Sequence, residues 1–317
     1  MKAIIIGIVA SFFFASTFIL NRSMDLNGGS WIWSASLRYL FMVPFLILIV
    51  GLRGNLKPVL HELKEKPLQW LLWSTIGFGL FYTPITFAAA FGPGWIVSGT
   101  WQTTIIAGSL LVPIFTHKIE TKEGYILTRE QIPFKELRFS SIILLGVMMI
   151  QAQQATQVHL SAAILSTLPV IIAAFAYPLG NRKMMQICDG RLDTFQRVLG
   201  MTIASLPYWI LLSIFGFVFH GVPSHDQLFQ SFLVAICAGI IATVLFFYAT
   251  DIARNSSRQL AAVESTQSGS IVFTVIGEVL FLDAKVPSGL ALLGLSLIII
   301  GMIFHSLSSQ KIQIKSD

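Results

Sequence analysis

Apolar runs of about 20 residues recur along the whole chain, and no other feature limits its fold so tightly. A bilayer hydrocarbon core about 30 Å thick is crossed by about 20 helical residues. Windows of that size fall at residues 3–21, 31–52, 69–91, 95–116, 139–152, 161–181, 198–219, 228–250, 260–282 and 286–306. Only helices and closed barrels satisfy the backbone polar groups in lipid, and runs this long and continuous are not barrel strands. The expected fold is therefore an all-α integral membrane protein with ten transmembrane helices. The fifth window is the shortest and leads into the polar run Gln151, Gln153, Gln154 and Gln157; tilt or local thinning of the bilayer would accommodate it. The first run follows Met1-Lys2 without an A-x-A-like cleavage site and reads as a retained helix. Composition agrees, with 11% charged residues where soluble domains carry about 25%.

The net charge of +6 is not a nucleic-acid signature, because the Lys and Arg residues form short clusters between apolar runs. They orient the chain instead. Short cytoplasmic loops hold positive charge more readily than translocated ones. With the N-terminus inside, 18 of the 21 Lys and Arg residues fall in cytoplasmic segments, among them Arg182, Lys183, Arg191 and Arg197. Arg22 and Lys285 lie outside and Arg38 sits within the second span. This asymmetry implies an N-in, C-in protein of a bacterial-type inner membrane. Cys188 and Cys237 form no disulfide framework and have no metal-ligand spacing.

The two halves, 1–157 and 158–317, echo one another. Asn21-Arg22-Ser23-Met24 corresponds to Asn181-Arg182-Lys183-Met184, Arg38-Tyr39-Leu40-Phe41-Met42 to Arg197-Val198-Leu199-Gly200-Met201, and Leu144-Leu145-Gly146 to Leu292-Leu293-Gly294. Each half holds five spans, so a duplicated second half would be inserted upside down, a layout of secondary transporters with a site at the repeat interface. These features, with Glu264 followed fourteen residues later by Gly277-Glu278, resemble the drug/metabolite transporter superfamily in its ten-helix form. Pro93-Gly94-Trp95, Trp101-Gln102-Thr103, Tyr248-Ala249-Thr250-Asp251 and the segment Ala261 to Gln267 resemble its multidrug resistance efflux branch. The resemblance implies export of metabolites or drugs through a central cavity between the halves and names no substrate. The small four-helix exporters of that superfamily use a glutamate on their first helix; here the first span has no acidic residue, so that coupling mechanism does not carry over.

Ionisable groups within the membrane are functional candidates by default. Glu264, about one turn into the ninth span and followed by Ser265, Thr266, Gln267 and Ser268, is the leading candidate for coupling or substrate binding, with a proton as the coupling ion. The alternative is a structural role bonding neighbouring helices. Trp101 and Gln102 sit at the mirrored position and are expected to line the same cavity, with Gln267 and the mid-span Tyr82, Tyr177, Tyr208 and Trp209 as further wall candidates against a packing role. Glu278 is expected to snorkel to the outer interface, Arg38 and Arg197 to hold loops or headgroup phosphates, and Asp251 to form a surface ion pair near Arg254, with a gate as the sharper reading. Trp31, Trp33 and Trp70 read as headgroup anchors, and Gly92-Pro93-Gly94 as a tight turn that pairs the third and fourth helices. Pro84, Pro113, Pro169, Pro178 and Pro207 permit kinks.

An intramembrane enzyme would need a nucleophile with its base, paired carboxylates or a ligand set, and none is visible; His220 and His225 are too few for a metal site. No phosphate-binding loop occurs, and no filter loop or charged ring suggests a channel. An uncoupled facilitator or a lipid flippase of the same fold stays open. No cofactor is implied, and two complementary halves suffice for a working monomer with a small-molecule substrate.

Overall fold

The computed structural model describes residues 2–121, 124–129, 132, 134–155, 160–284 and 289–311. The chain runs through α1 (Lys2–Leu26), α2 (Trp31–Leu52), α3 (Leu56–Glu65), α4 (Pro67–Ser74), α5 (Leu80–Ala89), α6 (Gly94–Trp101), α7 (Thr103–Leu110), the hairpin β1 (Thr116–Thr121) and β2 (Gly124–Arg129), then α8 (Phe134–Ala155), α9 (Leu160–Cys188), α10 (Thr194–Ala204), α11 (Leu206–His220), α12 (His225–Val234), α13 (Thr243–Ala253), α14 (Ser257–Ser265), α15 (Gly269–Phe281) and α16 (Gly289–Lys311). Among the described residues five stretches are helical, long and apolar enough to cross a membrane: Lys2–Leu26, Trp31–Leu52, Pro67–Ala89, Ser161–Cys188 and His225–Ala253. The bent pair α10 and α11 makes a sixth if it is one broken span. The windows at 95–116 and 260–282 fall on interrupted helices, and the apolar stretches Ser140–Gln153 and Gly289–Gly301 are shorter. Residues 157 and 158, where the halves were divided, and Lys122, Lys285 and Lys315 lie outside the described residues.

Local chemistry explains the breaks. Pro84 cannot donate to the Leu80 carbonyl, and the helix widens to a π-helical segment over Thr75–Gly79 just before it. Pro207 likewise has no N–H for Ile203, and the chain bends by 47° between α10 and α11. There the Ser205 hydroxyl lies 2.9 Å from the Met201 carbonyl and 3.0 Å from that of Thr202. A second π-helical segment spans Ala235–Ala242 between α12 and α13. α10 begins with a capping box between Asp193 and Gln196.

Among the described residues, one two-stranded hairpin stands beside the helices of this all-α chain. Its strands pair antiparallel, with Thr116 opposite Arg129 and Ile119 opposite Ile126. Thr, Ile and Tyr in short alternation with polar residues suit a pleated ribbon, and the span windows had absorbed this segment as a helix end and a loop.

Helix packing is dominated by four associations. α1 lies against α13 and α15, α9 against α5, α6 and α7, α2 against α10 and α11, and α8 along α16. The last pair meets where Gly146 faces Gly294, each leaving room for the other's backbone. The tight turn does not pair its flanking helices as expected: contact between α5 and α6 is slight, and α5 lies chiefly along α9. Trp70, expected at the headgroups, is wholly buried against Gly200, because α4 packs on α10.

Candidate functional site

The core of the bundle is aromatic. Tyr39 stacks on Trp209 at 4.2 Å, and Phe81 lies 4.5 Å from Tyr177 and 5.0 Å from Trp101 between ring centres. Within this cluster a small void is lined by Phe14, Thr17 and Phe18 of α1, Phe81 and Ile85 of α5, Trp101, Tyr177 of α9, and Gln267. Its volume is about 10 Å³. The Tyr177 hydroxyl and the Gln267 amide nitrogen Nε2 are buried without a hydrogen-bond partner. Both helices that reach the void from the mirrored positions are interrupted: α6 gives way to α7 at Gln102, and α14 to α15 through a 3-10 turn over Thr266–Ser268.

Of the residues singled out in the sequence, Trp101, Tyr177 and Gln267 come together here, and the others stand elsewhere. Gln102 is buried but turns back to donate to the Ser98 carbonyl at 2.7 Å. Tyr82 exchanges hydrogen bonds with Asn21. Tyr208 donates to Thr83 at 2.8 Å, and the Trp209 indole donates to Ser205 at 3.0 Å.

Glu264 does not line the void with Trp101. Its carboxylate is bound bidentately by Arg182, with Nε 3.0 Å from Oε1 and Nη2 2.7 Å from Oε2. Arg182, counted above as a cytoplasmic flanking charge, is only 3% exposed, since α9 continues without a break to Cys188 and carries residue 182 into the bundle. The pair fits because Gly108 of α7 has no side chain; a Cβ there would overlap Glu264 Oε2. Arg182 is the residue that sequence reasoning missed.

The other charges also turn inward. Arg38, expected at loops or headgroups, is 1% exposed. Its guanidinium carbon lies 4.1 Å over the Tyr82 ring, and its nitrogens donate to the Ala238 carbonyl at 3.0 Å and to Thr17 Oγ1 at 3.5 Å. Asp251 pairs at 2.6 Å with Arg197 rather than with Arg254, and also accepts from Thr194 Oγ1 at 2.9 Å, because α10 packs against α13. Glu278 is buried and does not snorkel. Its carboxylate accepts the backbone N–H of Gly94 at 2.8 Å and of Trp95 at 3.2 Å, capping the start of α6.

A larger cavity, of about 460 Å³, opens near Arg197 and Asp251, with Arg53, Asp193, Tyr248 and Arg254 also on its wall. Two ion pairs near it join residues far apart in the chain: Arg53 with Asp193 at 3.2 Å, and Glu62 with Arg191 at 2.5 Å. The Arg191 guanidinium holds the Glu62 carboxyl below the usual carboxylate range, by its hydrogen bond first and its charge second.

Comparison with known proteins places this arrangement in a family. Residues 1–311 match the family described as "EmrE: Putative multidrug resistance efflux transporter". The chain is 56% identical over 310 residues to the YjlA protein of Bacillus subtilis (strain 168), covering 98% of this chain and 96% of that protein. It is 50% identical over 282 residues to a Shouchella clausii "42.1 kDa protein in intracellular alkaline protease 3′ region", covering 89% and 73%. In fold it is similar to a crystal structure with a TM-score of 0.67 at 14% identity, over 98% of both chains. With several apolar helices of membrane-crossing length and a family match over nearly its whole length, this multi-pass membrane protein belongs to the EmrE-type multidrug resistance efflux transporter family of the drug/metabolite transporter superfamily.

Proposed function

We propose that the chain is a secondary transporter that exports small metabolites or drugs by alternating access, holding substrate between residues 1–157 and 158–317. The observation that carries this reading is the central void. Its wall draws on both halves, Phe14, Thr17, Phe81 and Trp101 from one and Tyr177 and Gln267 from the other. Buried polar groups in a packed core are nearly always hydrogen-bonded, whereas a site awaiting a ligand keeps convergent polar groups among aromatic walls. The void is too small for any solute in this conformation, as expected of a closed state that must open to load.

Several pairings support ten spans in two inverted repeats. α1 leans on α13 and α15 as α9 leans on α5 and α6. The π-helical segments at Thr75–Gly79 and Ala235–Ala242 fall on the third and eighth span windows, and the breaks at Gln102 and Thr266–Ser268 on the fourth and ninth. The echoed asparagines bond alike, Asn21 to Tyr82 of the third window and Asn181 to Thr250 of the eighth. On this reading both termini are cytoplasmic, the membrane is a bacterial cytoplasmic membrane, and one chain suffices.

A second reading, an exchanger or facilitator without proton coupling, is favoured by one contact. Glu264 is engaged by Arg182, and a carboxylate so held is a poor proton carrier until the pair opens. Purified protein in liposomes, given mixed amino acids and lipophilic cations with and without an imposed proton gradient, tests both. Gradient-driven accumulation supports coupled export, equilibration alone supports the exchanger, and no protein-dependent flux refutes transport.

A further inference from the structure

The charge balance around the void bears on what it would bind, granted the transport reading above. We propose that the substrate carries an oxyanion, a carboxylate or phosphate on a small, flat or aromatic body, and that Arg38 is its counter-charge. Arg38 is buried in the bundle, and no ion pair among the described residues includes it. Its Nε is also without a hydrogen-bond partner. A buried cation is normally paired; here, among the described residues, its partners are the Ala238 carbonyl, the Tyr82 and Tyr39 rings and Thr17, all of them uncharged.

Thr17 links this cation to the void. Its Oγ1 accepts from Arg38, which directs its hydroxyl proton elsewhere, and Thr17 forms part of the void wall. The same wall carries the unpartnered Tyr177 hydroxyl and Gln267 Nε2. The wall thus holds two side chains with unpartnered buried donors and a threonine that contacts the guanidinium, and no carboxylate lines the void. Glu264, the carboxylate singled out from the sequence, is paired with Arg182. Donors and a buried positive charge in a low-dielectric site stabilise an acceptor-rich anion and repel a cation. Phe14, Phe81 and Trp101 supply faces for an apolar or aromatic body. The opposite preference, for lipophilic cations, would need an uncommitted carboxylate or an aromatic box without the arginine.

The test is selectivity of the intact protein in liposomes, using benzoate, phenyl phosphate and indole-3-acetate as anionic probes and tetraphenylphosphonium as the cationic one. The proposal expects saturable flux of at least one anion, at least tenfold above that of tetraphenylphosphonium. Arg38→Gln is expected to lower that flux at least tenfold while Arg38→Lys retains part of it, and Thr17→Val to raise its half-saturation concentration several-fold. Wild-type selectivity decides the matter even where an Arg38 variant fails to fold. Flux of tetraphenylphosphonium without any anion overturns this inference and leaves the transporter reading standing. Anion flux unaffected by Thr17→Val and a folded Arg38→Gln also overturns it, and absence of all flux overturns both.

Discussion

At the scale of the residue, the molecule is organised by charges that its sequence displays as loose flanking groups. Arg182 follows Asn181 at the end of an apolar run, which is how a cytoplasmic flank is written. Its partner Glu264 stands 82 positions away, so no local period encodes the pair. Removing one member of a buried pair strands the other. Glu264→Gln is therefore expected to destabilise the protein by about 3–5 kcal/mol, whereas replacing both, Arg182→Met with Glu264→Leu, recovers most of that loss. Thermal unfolding of the detergent-solubilised variants measures both. Glu62 gives a pH-dependent counterpart outside the spans. Its carboxyl is held low by Arg191, so the contact stabilises the fold above the ordinary carboxylate range, near pH 4, and is lost as pH falls through the lower folded value. Glu62→Gln is expected to cost about 1 kcal/mol at pH 7. The difference from wild type should shrink below pH 4 in the same unfolding assay.

At the scale of the element, the informative places are where helices stop being ideal. Hydropathy locates the apolar runs because lipid demands length and apolarity, and five of the windows, 3–21, 31–52, 69–91, 161–181 and 228–250, fall on helical stretches of membrane-crossing length. It is silent on the interruptions at Gln102 and Thr266–Ser268, which depend on what each helix packs against. For the same reason Trp101, Tyr177 and Gln267 could be named as cavity candidates from their depth, but their meeting around one void, apart from Gln102, Tyr208 and Trp209, could not. Glu278 illustrates the limit: a carboxylate near a helix end reads as an interfacial group, yet it caps α6, 184 residues earlier in the chain. Gly108 belongs to this scale too. A methyl group there meets the Glu264 carboxylate, so Gly108→Ala is expected to cost about 1–3 kcal/mol through overpacking. The same substitution beside Arg182→Met with Glu264→Leu should cost measurably less, and equal costs in the two backgrounds would dissociate Gly108 from the pair.

At the scale of the whole molecule, the wall of the void draws on residues far apart in the chain, from Phe14 to Gln267, and on both of the proposed halves. The proposed duplication rests on the echoed sequence segments and on the associations of α1 with α13 and α15 and of α9 with α5 and α6. The hairpin of β1 and β2 has no echo that the sequence reading detected. Void and helix breaks together make transport through the centre the claim on which the account stands. Its most direct test is substrate flux through proteoliposomes by the wild type, Tyr177→Phe and Gln267→Ala, with thermal unfolding as a control on folding. The account predicts saturable flux by the wild type and at least a tenfold loss in both variants at nearly unchanged stability. Full flux in both would contradict it and move the pathway away from the void.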